Sequence, residues 1–299
     1  MMQSHLGELA ALATAFCWTF TSMSFESAGK KVGSLAVNYI RLYIGLIFLS
    51  VFMYFTRGQL FPIDATGHTW TWLFLSGIVG FAIGDLLLFQ AFVVVGARIS
   101  MLIMSLVPPI TALISYFFLG ETLTAREIFA MFITVLGVSL VVLERGEQNR
   151  QVKFAHPISG ILLAFGGSVG QAVGLIFSKY GMGDYSAFAA TQIRVIAGIA
   201  GFTVIFFFMN SWKKVFSALK NRSAMKRITL GAFFGPFLGV SMSLLAVQHT
   251  RAGIASTIMA IVPILIIPPA VLIFKEKVTL KEFIGAVIAV GGVAIYFVH

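Results

Sequence analysis

Charge is what this chain has least of. Only 11% of its residues are Asp, Glu, Lys or Arg, while 59% are hydrophobic; a soluble domain carries about 25% charged residues. So little charge cannot furnish a water-facing surface for a domain of this size, which excludes a soluble globular protein. Cysteine occurs once, as Cys17, which excludes an intramolecular disulfide and a cysteine-ligated metal cluster. The five histidines show no HxxxH or HExxH spacing, so no metal site is expected. A Gly-rich phosphate loop, a GxSxG elbow and an Asp-rich magnesium motif are all missing, which argues against an ATP-driven pump and the common intramembrane enzymes. No cofactor is expected. A basic segment ahead of the first apolar run is also lacking, and that run is long enough to stay as a span, so it reads as a first helix rather than a cleaved signal.

What the sequence has instead is long apolar runs, with a mean hydropathy of +0.96. Windows of roughly 20 apolar residues suffice to cross hydrocarbon. Ten such spans are predicted near 6–26, 35–56, 71–94, 99–119, 126–143, 157–178, 186–209, 228–248, 253–274 and 281–298. The longest connection runs from Asn210 to Arg227, which leaves no room for a soluble catalytic domain.

The spans come in two copies. Gly7/Gly160, Arg41/Arg194 and Gly45/Gly198 are 153 positions apart. Gly80/Gly235, Gly84/Gly239, Pro108/Pro263, Glu121/Glu276, Thr124/Thr279, Glu127/Glu282 and Gly137/Gly292 are 155 apart. Glycine, proline and charge are costly in a bilayer, so their recurrence in register marks an internal repeat. The division is residues 1–145, a linker at 146–156 and residues 157–299. Each copy holds five spans, and an odd number forces the second copy to enter the membrane upside down. The expected fold is therefore an all-α membrane protein of about ten transmembrane helices, arranged as two inverted five-helix repeats around a central cavity. That architecture belongs to alternating-access secondary transporters.

The formal charge of +10 does not point to nucleic acid, because its distribution follows the membrane. Lys and Arg crowd the loops after odd-numbered spans, most densely across Lys213–Arg227, while Arg57, Arg126, Lys179 and Arg251 fall on the other side. By the positive-inside rule the odd loops are cytoplasmic and both termini lie outside.

Several motifs resemble the drug/metabolite transporter superfamily, and within it the tandem EamA-type domain proteins. These are Asn38-Tyr-Ile-Arg41 and Thr191-Gln-Ile-Arg194, Gly96-Ala-Arg-Ile-Ser100 leading to Ser105-Leu-Val-Pro-Pro109, and Leu119-Gly-Glu-Thr-Leu-Thr124 echoed by Lys275-Glu-Lys-Val-Thr279. The resemblance covers nearly the whole chain. It implies ten helices around a central cavity, export or exchange of small metabolites, often amino acids or their relatives, and both termini in the cytoplasm, opposite to the charge distribution. Lys275 stands where the first copy has Gly120, a departure that affects a local turn.

Candidate site residues follow from what is costly in lipid. Pro108 and Pro109 interrupt the fourth span, and Pro263, Pro268 and Pro269 the ninth. Proline removes a donor and frees a carbonyl one turn back, and matched interruptions in inverted halves point to a midplane site; the plainer reading is a pair of kinked helices. Asp85 is the acidic residue deepest in a span, with Val240 as its counterpart. It is the candidate for proton coupling or for pairing a substrate amine, and alternatively a partner for Arg41, Arg194 or Arg98. Arg41 and Arg194 read as structural charges with a repeated task, although their fork of donors suits a carboxylate. Trp18 and Gln171, at equivalent positions, together with Asn38, Gln90 and Gln192, are further cavity candidates. Trp70, Trp72 and Trp212 read as interfacial anchors. The stripes Gly77/Gly80/Gly84 and Gly231/Gly235/Gly239, with Gly166, Gly167, Gly170 and Gly174, read as close helix contacts. Glu121/Arg126 and Glu276/Lys281 read as helix-start capping.

The expected function is a secondary transporter in a bacterial inner membrane, an exporter of small organic metabolites such as amino acids or related amphipathic solutes. Its partners would be the solute, the lipid bilayer and protons. Multidrug efflux is the first alternative, but the small multidrug resistance branch has a carboxylate in mid first helix, where this chain reads Ala15-Phe-Cys-Trp18. A membrane-embedded enzyme or scaffold is the second, and scattered rather than clustered titratable groups argue against it.

Overall fold

A computed structural model describes residues 5–120, 124–145, 152–154, 156–272, 275 and 278–295. In chain order the helices are α1 (Leu6–Val32), α2 (Ser34–Arg57), α3 (Gly67–Val94), α4 (Gly96–Leu119) and α5 (Ala125–Val142), then α6 (Ile158–Met182), α7 (Ala187–Met209), α8 (Trp212–Lys220), α9 (Arg222–His249), α10 (Ala252–Leu272) and α11 (Leu280–Ala294). Between α5 and α6 lies a short antiparallel hairpin, β1 (Leu143–Arg145) on β2 (Val152–Phe154), with Glu144 opposite Lys153. The expectation of an all-helical chain omitted that hairpin. Seven helices, α2, α3, α4, α6, α7, α9 and α10, are long and apolar enough to cross a membrane. α1, α5 and α11 lie at the other three predicted spans and are not among those seven; α11 has 15 residues, and the apolar stretch of α5 is the shorter Ile128–Leu140.

Chain punctuation sets several helix ends. α1 ends at Gly33, whose φ of 86° is open to glycine alone without strain. α2 ends at Gly58 with φ 68°, its N–H bonded to the Tyr54 carbonyl in an αL cap. Thr66 caps α3 by accepting from the Thr69 N–H at 3.2 Å.

The two halves interlock helix by helix. α3 packs on α6, α9 on α1, α2 on α7, α4 on α10 and α5 on α11. Glycine makes these approaches possible. A Cβ added at Gly170 would stand 2.6 Å from the Gly84 Cα, and one at Gly174 3.2 Å from the Gly80 Cα. The α9–α1 contact has the same design with one side changed: a Cβ at Gly239 would meet the Trp18 ring at 3.0 Å. With no hydrophobic drive between helices in lipid, such close contact supplies the packing energy.

Two irregularities recur at the same offset. α3 contains a π-helical stretch at Ile78–Gly84 and α9 one at Phe233–Gly239. Pro236 accounts for the second, because a proline has no N–H for the i−4 bond and its ring displaces that carbonyl. The first has Phe81 at that position and no proline. α4 is interrupted at Ser105–Leu106 and α10 at Ala260–Ile261, each break followed by a segment with proline in its first turn. The breaks leave room at the centre of the bundle.

Hydrogen bonds fasten both ends. On the basic face Lys31 donates to Ser223 at 2.8 Å, Arg98 pairs with Glu282 at 2.9 Å, and the Ala97 N–H donates to Glu26 at 3.0 Å. At the other end Tyr185 donates to Asp64 at 2.9 Å, Arg57 pairs with the same carboxylate, and Gln248 donates to the Gly183 and Tyr185 carbonyls.

Candidate functional site

Between the halves lies a central cavity of two adjoining lobes. Trp18, Met101, Met104, Gln171 and Val240 border both lobes, so they form one space.

The first lobe walls in Asp85 and Arg41. Asp85 follows the π-stretch of α3 directly, and its N–H bonds back to the Gly80 carbonyl. One carboxylate oxygen pairs with Arg41; the other accepts from Gln171 Nε2 at 2.6 Å. Asn38 completes the arrangement from behind, donating to the Asp85 carbonyl at 3.1 Å and accepting from Arg41 Nε at 3.1 Å. The guanidinium of Arg41 faces the rings of Phe89 at 4.4 Å and of Phe25 and Phe81 at 5.5 Å. Both charges are therefore buried, paired and hydrogen-bonded, which is the condition under which a buried ion pair persists.

The second lobe walls in Arg194 from α7, beside Pro263, Ser243 and Ser256. Arg194 is 3% exposed, and its Nε has no hydrogen-bond partner among the described residues. Its guanidinium stands 4.9 Å from the Phe81 ring, which is therefore a neighbour of both arginines. Arg41 and Arg194 occupy equivalent positions but differ in surroundings. The reason is local: the residue equivalent to Asp85 is Val240, so the second half offers Arg194 no carboxylate from α9.

Of the cavity candidates named from sequence, the structure brings Trp18, Asp85, Gln171 and Pro263 to the wall. Asn38 stands behind it as the support of Arg41 and Asp85. Gln90 lies away from the cavity, accepting from Ser34 at 2.6 Å. Gln192 joins α7 to the end of α2, donating to Ser50 at 2.9 Å and to the Leu60 carbonyl at 2.7 Å. Pro108 is buried beside the break in α4, and its neighbour Val107 is the residue that reaches the cavity. A polar side chain at membrane depth needs partners; neighbouring elements supply them to Asn38 and Gln90 and to the Gln192 Nε2, while Gln192 Oε1 has none among the described residues. Sequence reasoning assigned Arg194 a structural task and did not single out Met101, Met104 or Phe81. The residue capable of revealing Arg194 was Val240, whose apolar side chain at the Asp85-equivalent position leaves that arginine without its counterpart's partner. Glu121 and Glu276 lie outside the described residues; Arg126 donates to the Ile295 carbonyl at 2.9 Å.

Two interlocked helical halves enclosing a polar-studded apolar cavity define a multi-pass membrane transporter architecture. The EamA-like transporter family matches this chain twice, over residues 5–143 and again over 158–298, and the chain belongs to that family. It is similar to an uncharacterized transporter of Clostridium kluyveri, 22% identical over 288 residues that make up 96% of this chain and 91% of the relative. A solved crystal structure shares the fold, with a TM-score of 0.68 at 15% identity, covering 97% of this chain and 96% of the other.

Proposed function

We propose that this protein is a secondary transporter that exports small organic metabolites, amino acids or related amphipathic solutes, across a bacterial inner membrane by alternating access. In this reading ten helices span the bilayer as two inverted five-helix repeats, divided as 1–145 and 157–299 around a linker at 146–156. The observation that carries it is the central cavity, apolar over most of its wall and bordered by residues of both halves, with Asp85, Gln171 and Arg194 as its fixed polar groups. A few convergent polar groups on an apolar wall orient a small amphipathic ligand. The close glycine contacts of α3 with α6, and of α9 with α1, allow the halves to slide without opening large voids.

Asp85 is the coupling candidate. Protonation of its carboxylate would release Arg41, and solute binding in the adjoining lobe then shares a wall with that event. The multidrug alternative has less support, because a cationic drug would meet two arginines and one already paired carboxylate.

The test is uptake of radiolabelled solutes into proteoliposomes of the purified protein, with a panel of amino acids, and with and without a pH gradient. Saturable uptake of one solute supports the reading, and acceleration by the gradient supports proton coupling. Silence across the panel, with folded protein recovered, overturns the amino-acid assignment.

A further inference from the structure

We propose that the solute is recognised as an anion: Arg194 is the anchor for the carboxylate of a small hydrophobic monocarboxylate that carries no ammonium group. The inference rests on the transporter reading and narrows its solute.

The cavity wall carries a net positive charge. Among the described residues three charged side chains border the two lobes: Arg41, Asp85 and Arg194. Arg41 and Asp85 neutralise one another in a buried pair. Arg194 therefore leaves one positive charge in the wall, 3% exposed, with its Nε donor unbonded among the described residues. A buried charge and a buried unbonded donor are each costly, and both costs fall when an anion with two acceptor oxygens binds. A carboxylate fits because the planar guanidinium presents its donors as a fork at carboxylate spacing. The ring of Phe81 holds one side of that plane at 4.9 Å and limits its rotation.

The ammonium of an amino acid meets less favourable chemistry. The one carboxylate in the wall, Asp85, already accepts from Arg41 and from Gln171. An ammonium drawn to it competes with Arg41, whose guanidinium is enclosed by Phe25, Phe81 and Phe89. Ser243 and Ser256 donate to carbonyls of their own helices, at 2.7 and 3.0 Å. A zwitterion also leaves the net charge of the wall unchanged, whereas a monoanion cancels it. The rest of the lobe, with Met101, Met104, Leu175, Met259 and Trp18, supplies a polarisable apolar surface for an aliphatic or aromatic tail.

The experiment is calorimetric binding to the full chain in detergent with four matched ligands: phenylacetate, phenylacetamide, phenylalanine and phenethylammonium. Detergent is chosen because protonated weak acids leak across vesicles. Phenylacetate is expected to bind at least about tenfold more tightly than each of the other three, the loss of one charge-assisted hydrogen-bonded contact. Arg194→Gln is expected to lower phenylacetate binding at least about tenfold, and Arg194→Lys to retain part of it. Should Arg194→Gln fail to fold, the ligand ranking on the unaltered protein decides. Tighter binding of phenylalanine or phenethylammonium, unchanged phenylacetate binding in folded Arg194→Gln, or displacement of phenylacetate by millimolar chloride overturns the proposal. Labelled amino-acid uptake without phenylacetate binding would remove this inference and leave the transporter reading standing. Arg194-dependent phenylacetate binding, with no transport of any labelled solute, would do the reverse.

Discussion

Arg41 and Arg194 stand at the same place in the two halves and have opposite fortunes. Arg41 has a carboxylate, an amide and three aromatic rings around it. Arg194 has one ring, a cavity and only the charge of Asp85, with no hydrogen bond to it among those of the described residues. The backbone that carries them is repeated, down to the π-stretch in the neighbouring helix, and what separates them is Asp85 against Val240. Repetition in the fold thus builds two similar frames, and one side chain turns the first into a closed ion pair and the second into an open valence.

The largest effect is expected from breaking the closed side. Asp85→Asn leaves Arg41 buried and uncompensated, a loss of about 3–5 kcal/mol by analogy with other buried pairs. The thermal midpoint in detergent should fall clearly, and Arg41→Gln in the same chain should restore part of it in a double-mutant cycle. An Asp85→Asn protein as stable as the parent would show that the pair is not structural and would favour the coupling role alone.

Next in size is the contact that holds the halves together. Gly170→Ala forces a Cβ to within 2.6 Å of the Gly84 Cα, where only backbone can move. A destabilisation of about 1–3 kcal/mol is expected from overpacking, read as a lower midpoint. Gly253→Ala, with nothing within 4 Å of the added Cβ, is the matched control and should be close to neutral.

The comparison is sharpened by making the halves alike. Val240→Asp places a carboxylate at the Asp85-equivalent position, on a wall shared with Arg194. It should lower phenylacetate binding by about tenfold, since the new carboxylate competes for the same fork, while changing stability less than Asp85→Asn does. Binding equal to that of the parent would mean that Arg194 is not reached from position 240.

The smallest effect belongs to the clasp of Arg57, Asp64 and Tyr185. Partial burial pushes the Asp64 carboxyl up, but hydrogen bonds from Tyr185, its own backbone and Arg57, with the Arg57 charge, together hold it below its ordinary 3.8. A carboxylate depressed in the folded state contributes stability above its unfolded value and loses it as pH falls through the folded one. The thermal midpoints of the parent and Asp64→Asn should therefore differ at neutral pH, by at most about 1 kcal/mol for so exposed a pair. They should begin to approach one another below about pH 4 and converge once the pH is under the depressed value of the folded carboxyl. A difference that persists there would assign the effect to packing.

Much of the architecture was legible because lipid leaves few choices. Seven of the ten apolar runs became helices long and apolar enough to cross a membrane, since a backbone without water must bond to itself. The recurrent glycines identified the helix contacts, and the paired prolines identified the breaks in α4 and α10. The π-stretches were not legible: Ile78–Gly84 contains no proline and reads as an ordinary span. Among site residues, sequence gave depth but not direction. Gln90, Gln171 and Gln192 look alike along the chain. Yet one reaches Asp85, and the other two spend their amides on Ser34, and on Ser50 and the Leu60 carbonyl. That choice depends on which helix stands opposite, which periodicity does not encode. The pairing of Arg41 with Asp85 was one of several open alternatives, and the exception, Arg194, was hidden by its symmetry with Arg41.

The two π-stretches also mark what the molecule's two parts have in common. An extra residue wedged into a helical turn, at the same place in both copies, is most simply one event inherited twice. On that account the irregular turn belongs to the repeated unit itself. In the second copy Pro236 now makes the irregular turn obligatory, and in the first copy it persists without a proline. The irregular turn is what the two copies share, and the surroundings of the two arginines are what they do not.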